Sequence, residues 1–367
     1  MSSTPLPRPT VRTEFLSAGN AARLVSRTGV IECLRRMADA IEADFSRWRD
    51  FDKSARIAAH SPSGVIELMP VADADDYAFK YVNGHPVNTR HGLPTVMAFG
   101  ALADVATGAP RFLSELTLTT ALRTAATSLV AARRLARSDS TCMALIGNGS
   151  QSEFQALAFI GLLGIRELRL FDTDPAATAK LMRNIAPWAE SCGAEIRDCP
   201  SVHEAVRGAD VVTTLTAHKS RATVFNASML APGMHINAVG GDCPGKTELT
   251  AAVLKRSSVF VEYEPQTRIE GELQQMPPDF PVTELWEVIA GHAQGRTSHR
   301  QVTLFDSVGF ALEDYSALRT MQGLARSADL LETIDLIPEL HDPKDLFAMV
   351  RNAQENVRVS APLRRRA

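Results

Sequence analysis

The sequence predicts an α/β fold: a Rossmann-type doubly wound parallel sheet beside an α+β unit built from both ends of the chain. Three observations predict it. From Cys142 to about Val308, short apolar runs alternate with helical segments, the pattern of a parallel sheet covered by helices on both faces. Within that stretch, Met143-Ala144-Leu145-Ile146 runs into Gly147-Asn148-Gly149-Ser150-Gln151-Ser152 and then an Ala/Leu/Phe-rich segment, which reads as strand, tight turn and helix. Upstream, between Ser54 and Val82, the apolar period shortens to two residues, as in antiparallel strands.

The elements follow in chain order. Residues 1–15 carry Pro5, Pro7 and Pro9 without periodicity and are expected to form a flexible extension. Ile31, Leu34, Met37, Ile41, Phe45 and Trp48 recur at helical spacing and predict an amphipathic helix over 30–48. Strands are expected at 54–60, 64–69 and 77–82, divided by Ser61-Pro62-Ser63-Gly64 and Asp73-Ala74-Asp75-Asp76, and again at 95–99 and 112–116. Arg56, Glu67 and Lys80 fall in this meander. Each could simply face water, or the three together could line a pocket for a zwitterion. A long Ala-rich helix is expected over 119–137, capped by Thr119 or Thr120, with Arg123 near its start. A cation there opposes the helix dipole, so Arg123 is either solvated or facing an anion.

In the parallel region, strands are expected at 143–146, 168–171, 194–197, 211–214, 234–239, 259–262 and 303–306, with helices at 153–163, 176–188, 202–207 and 247–256. The division expected is therefore a Rossmann-type parallel-sheet domain over 138–309, the one the next observations assign to a nucleotide. Residues 16–137 and 310–367 form the second domain, with a helix from Phe310 returning to it and a charged tail ending Arg364-Arg365-Arg366-Ala367.

The glycine turn after the first parallel strand aims unpaired N–H groups and a helix N-terminus at an anion, commonly a dinucleotide pyrophosphate. Ser152 replaces the usual third small apolar residue. The second run, Leu168-Arg169-Leu170-Phe171, ends in Asp172, about 20 residues on, where a carboxylate accepts hydrogen bonds from a ribose. No Arg follows Asp172, which favours NAD over NADP.

A competing pattern lies at Gly240-Gly241-Asp242-Cys243-Pro244-Gly245-Lys246-Thr247, which fits the P-loop spacing G-x-x-x-x-G-K-[ST]. Asp242 would repel phosphate oxygens, and Pro244 lacks an N–H. The alternative is that Asp242, at the carboxyl end of a central strand, is itself a proton-transferring group.

Composition sets outer bounds. A chain of 367 residues, 45% apolar and 22% charged, is long enough for about two domains of ordinary globular kind. A net charge of −3 speaks against nucleic acid or an anionic membrane as partner. Five cysteines without a Cys-x-x-Cys pair suggest reduced thiols, no metal site and a cytoplasmic location. No apolar run approaches membrane-spanning length, and the polar, Pro-rich beginning does not read as a signal peptide.

With these residues in view, the chain resembles the ornithine cyclodeaminase family, which includes mu-crystallin. The segments that carry the resemblance are Phe51–Arg56, Gly64–Pro70, Ala78–Pro86, Ala121–Ala126, Gly147–Gln155, Asn237–Glu248 and Phe305–Gly309. The resemblance implies conversion of L-ornithine to L-proline and ammonia, in which NAD takes hydride from Cα and returns it to a cyclic imine. The P-loop pattern then becomes coincidence. The resemblance further implies that Arg56, Lys80 and Arg123 hold the substrate carboxylate, that Glu67 faces the distal ammonium, that Val308 touches substrate, and that Asp242 is the catalytic acid/base. On the cofactor side it implies Thr95, Arg123, Gly147, Gly149, Ser150, Gln151, Asp172, Thr216, the strand end Ile236-Asn237-Ala238-Val239, Lys246 and Ser307. It also implies a homodimer and a place in proline formation or ornithine and arginine breakdown. An imine reductase, an amino-acid dehydrogenase, a lysine cyclodeaminase or a noncatalytic small-molecule carrier on the same fold are the alternatives.

Overall fold

The computed structural model describes residues 12–217 and 223–360, with side chains as far as Gln354. Residues 1–11 of the expected extension and the Arg-rich tail from Ala361 lie outside the described residues.

Two sheets organise the chain. The first is mixed, ordered 332–334, 13–16, 110–115, 98–104, 76–84, 64–72 and 52–53, with 57–61 also paired to 64–72. Its centre is the expected antiparallel meander, in which Met69 faces Lys80 and Lys80 faces Gly100 across adjacent strands. One expectation is corrected at its edge. Thr13–Leu16 is not part of a flexible extension but a strand, parallel to Pro110–Glu115 and antiparallel to Glu332–Ile334. Thr13 and Leu16 are buried there, and Thr13 Oγ1 donates to the Pro110 carbonyl at 2.9 Å. The three prolines that suggested disorder all precede this strand.

The second sheet is parallel throughout, ordered 195–198, 167–171, 142–146, 211–214, 235–238, 303–306, 258–261 and 283–284. Cys142–Ile146 is buried at every position, as a strand covered on both faces must be. One hydrophobic cluster covers one face and joins it to the first sheet through helices 18–28, 30–46, 117–135 and 311–327; a second fills the opposite face.

Helix Thr117–Leu135 is the hinge of the architecture. Fifteen of its nineteen residues are buried, so it is a core helix surrounded by others rather than an amphipathic one at the surface. It starts two residues earlier than expected and is not capped by Thr119 or Thr120. The Glu115 carboxylate accepts from the Leu118 and Thr119 N–H groups instead, placing an anion where the dipole favours one. The preceding helix Ala18–Thr28 escaped the sequence reading because its buried apolar stripe is only Ala21, Leu24 and Val25.

Two further departures bear on function. The strand expected at 95–99 begins at Ala98, so Thr95 lies in the loop before it. The helix expected over 247–256 shortens to Ala251–Leu254. Residues 240–250 run instead as an irregular loop, pinned where the Glu272 carboxylate accepts from Glu248 N at 2.6 Å and Leu249 N at 3.1 Å. The P-loop reading falls with that helix: Lys246 and Thr247 do not open a helix whose N–H groups could cradle phosphate.

Candidate active site

A cavity opens between the two sheets at the carboxyl ends of the parallel strands. Arg56, Glu67, Lys80, Arg123, Gln151, Val239, Asp242, Ser307 and Val308, far apart in sequence, all line it. The carboxyl ends of doubly wound strands are where such sheets bind ligands.

Three buried cations form its charged wall. Arg56 lies in the short link before strand Ile57–Ser61 rather than on a strand. Its Nη1 is 2.9 Å from Glu67 Oε2 and its Nε 3.0 Å from Glu270 Oε2, while Nη2 donates to the Val308 and Gly309 carbonyls, both at 2.6 Å. Lys80, 1% exposed, reaches Asp314 at 2.8 Å. Burial, reinforced by the positive Arg123, pushes its ammonium down to about 8 against the pull of Asp314. Arg123 Nη1 pairs with Glu313 at 2.5 Å and its Nε with Asp314 at 3.1 Å. The charge that offsets Arg123 is therefore this buried acidic pair. Gly309, at φ +77°, makes room for the guanidinium: a Cβ there would sit 2.6 Å from Arg123 Nη1.

Glu67 Oε1 is buried and accepts no hydrogen bond. Across the cavity, the Asp242 side chain is 52% exposed and receives Lys246 Nζ at 3.1 Å. Burial lowers the affinity of Lys246 for its proton, but Asp242 and Glu248 outweigh it and hold the ammonium above its ordinary range.

The dinucleotide side is built by the glycine turn. Gly147 adopts φ +96°, and a Cβ would lie 2.9 Å from the Leu215 carbonyl, so only glycine lets the first strand turn against that backbone. Around Gly149 a Cβ would meet nothing within 4 Å, so the turn opens on free space beside exposed Ser150. Ser152, the departure from the glycine pattern, is fully buried and donates to the Gly149 carbonyl at 2.7 Å. A small side chain is needed, and the hydroxyl finds a partner. Asp172 follows the second parallel strand and accepts from Asn148 N at 2.6 Å, tying its carboxylate to the turn.

Some expected residues point elsewhere. Ile236 and Ala238 are packed into the hydrophobic cluster, and Asn237 is occupied by His235 at 3.0 Å and Thr213 at 3.3 Å. From that strand end Val239 alone lines the cavity. Thr216 donates its N–H to Glu248 at 2.7 Å, and its hydroxyl is bonded to the same carboxylate. Thr95 gives its carbonyl to His85 N at 2.9 Å.

Sequence reasoning missed the acids behind the site. Glu262 accepts from Ser307 Oγ at 2.6 Å and from the Val308 and Gly309 N–H groups at 3.2 Å, fixing the turn that carries all three. Glu270, Glu313 and Asp314 hold the cations. The signals were present: Glu262 closes an apolar strand as Asp172 does, and Glu313-Asp314 are adjacent acids in the first turn of a buried helix.

This geometry defines the class, an α/β protein with a dinucleotide-binding turn and a charged cavity at the carboxyl ends of a parallel sheet. The chain belongs to the ornithine cyclodeaminase/mu-crystallin family, whose sequence profile matches residues 19–329. It is 56% identical over 336 residues to an ornithine cyclodeaminase of Brucella suis biovar 1 (strain 1330), covering 92% of this chain and 93% of that one. Among solved structures, a lysine cyclodeaminase described for recognition of L-lysine, L-ornithine and L-2,4-diaminobutyric acid superposes with a TM-score of 0.85 at 32% identity, covering 92% and 99% of the two chains. An archaeal alanine dehydrogenase dimer with bound NAD superposes with a TM-score of 0.80 at 30% identity, covering 89% of this chain and all of the other.

Proposed function

We propose that the chain is an NAD-dependent ornithine cyclodeaminase, a lyase that forms L-proline and ammonia from L-ornithine. The observation that carries the chemistry is the cavity itself, which gathers three buried cations, a glutamate oxygen without a partner and a half-exposed aspartate. The relatives carry the assignment to ornithine.

The residues present fit NAD. The turn at Gly147 is closed and the space over Gly149 open; Gln151 Oε1 and Thr120 Oγ1 are buried at the cavity without partners. Ser150, Gln151, Asp172, Lys246 and Ser307 would hold it. When bound, NAD supplies a hydride acceptor that oxidises Cα and later reduces the cyclic imine.

The chain's own residues do the rest. Lys80, Arg123 and Arg56 hold the substrate carboxylate. Arg56 contributes least, because its Nη1 is already directed at Glu67 and its Nη2 at the Val308 and Gly309 carbonyls. Fixing the carboxylate aligns Cα, which is worth several powers of ten in effective concentration. Asp242 takes the proton of the attacking amine and gives one to the departing ammonia, with Lys246 orienting its carboxylate. Glu67 Oε1 receives the distal ammonium.

Glu67→Gln is expected to raise KM for ornithine by about tenfold while changing the inhibition constant of L-norvaline, which lacks the distal amine, by about twofold or less. Equal changes in both would remove Glu67 from reading that amine. The function is tested by incubating the protein with ornithine and substoichiometric NAD. Proline and ammonia in equal amounts, exceeding the NAD supplied and without NADH accumulating, are expected; NADH rising in step with ammonia would make the protein a dehydrogenase.

The working form is proposed to be a cytoplasmic homodimer. Ile57, Leu68, Tyr81 and Phe99 face one another in a row across four strands of the meander, with Ile57 66%, Leu68 37% and Phe99 44% exposed. An apolar sheet face of this kind is suited to a second copy. Light scattering should return twice the 39.8 kDa of one chain. All five cysteines are free, as reduced thiols are in the cytoplasm, and among the described residues no helix is long and apolar enough to cross a membrane.

A further inference from the structure

Arg56 is enclosed by two carboxylates, not one. Glu67 Oε2 lies 2.9 Å from Nη1 and Glu270 Oε2 3.0 Å from Nε, and all three side chains are at most 7% exposed. The charge arithmetic matters. Arg56 with Glu67 alone is a neutral pair, which attracts an ammonium weakly; with ionised Glu270 the trio carries one net negative charge. Two oxygens of the trio, Glu67 Oε1 and Glu270 Oε2, are buried and accept no hydrogen bond of good geometry. Buried acceptors left in that state await a donor.

Glu270 ends the short helix Glu264–Glu270 and is absent from the lining of the cavity, so it acts through Arg56 rather than on substrate. We propose that Glu270 is the positioning residue of the distal-amine subsite: it holds Arg56 through Nε and offsets its charge, which frees Glu67 to bind a cationic amine. The inference rests on the diamino-acid reading above and adds the residue that makes Glu67 able to perform it.

The groups facing Glu270 are Arg56, Glu67 and Asp242. Behind it, Asp306 accepts from the Glu272 and Leu273 N–H groups, and Glu272 from those of Glu248 and Leu249. Burial raises the Glu270 carboxyl, Arg56 opposes, and the negative Glu67 and Asp242 add to the rise, to about 7. Below that pH the trio becomes neutral, so ornithine should bind more weakly as pH falls through it.

Glu270→Gln removes the charge while keeping the size and shape of the side chain that lies 3.0 Å from Arg56 Nε. Its KM for ornithine should rise about tenfold, and the inhibition constant of L-norvaline should change by about twofold or less. The fall of kcat/KM for ornithine below pH 7 should flatten. Glu270→Asp retains the charge and should hold the ornithine KM within about threefold of wild type. An unchanged ornithine KM in Glu270→Gln, equal losses for both ligands, or an Asp variant no better than the Gln variant would overturn the proposal. Should Glu270→Gln fail to fold, the Asp variant decides by the same criterion. A wild-type protein that forms no proline from ornithine would defeat the functional reading; normal wild-type turnover with indifferent variants would defeat only the role of Glu270.

Discussion

Asp242→Asn lowers proline formation by about a thousandfold or more and leaves ornithine binding within a few-fold of wild type, the scale expected for loss of a general acid/base. The amide keeps the shape of the side chain and can still accept from Lys246 Nζ, now 3.1 Å away, so the loop should not move. What disappears is a group able to take a proton from the attacking amine. Because the Asp242 side chain is half exposed, the substitution should cost little stability. Binding by calorimetry and turnover by ammonia release separate the two effects. Turnover near wild type would remove Asp242 from the mechanism; lost binding with unchanged kcat would make it a binding group only.

Arg123→Met destabilises the protein by about 3–5 kcal/mol, the cost of removing one partner from a buried ion cluster. Glu313 and Asp314 would keep their carboxyls in the core, with Lys80 alone to face them. Burial already pushes the Glu313 carboxyl up, to about 8, against the attraction of Arg123. The sign of the pH effect follows. A carboxyl whose folded pKa is raised contributes stability below its unfolded value and loses it as pH rises through the folded one. Without Arg123 that carboxyl is raised further still: near pH 6 both proteins keep Glu313 protonated, whereas above the wild-type value only the variant goes on losing stability, so the gap from wild type should widen with pH. Urea midpoints at both pH values measure it. A loss below about 1 kcal/mol at pH 9 would show that the cluster is not held by Arg123.

The parallel sheet was legible because its strands are covered on both faces and read as apolar runs, and the meander because Gly64–Ala72 and Asp76–Gly84 alternate. The errors lay where tertiary contacts override local pattern. Thr13–Leu16 is a strand because Glu332–Ile334, over three hundred residues away, completes its pairing. Thr119 does not cap its helix because Glu115 does so from outside it.

At the site, the sequence revealed side chains that face the cavity and concealed those that support them. Arg56, Lys80, Arg123 and Asp242 are polar groups set into apolar or small-residue surroundings, and each lines the cavity. Glu262, Glu270, Glu313 and Asp314 matter through partners brought to them by folding, and no spacing announces a pair such as Arg123 and Glu313, 190 residues apart. Asn237 was placed on the cofactor side by the family resemblance alone. Its side chain is turned inward by His235 and Thr213, a choice made by which face of the strand it occupies.

The most direct test of the account is to follow the hydrogen of Cα. L-Ornithine deuterated at that carbon, turned over on NAD with unlabelled NADH added to the solution, should yield proline that keeps the deuterium at Cα, because the hydride leaves and returns within one closed site. Deuterium lost to the NADH pool or to water would contradict internal return and leave the fold serving a different reaction.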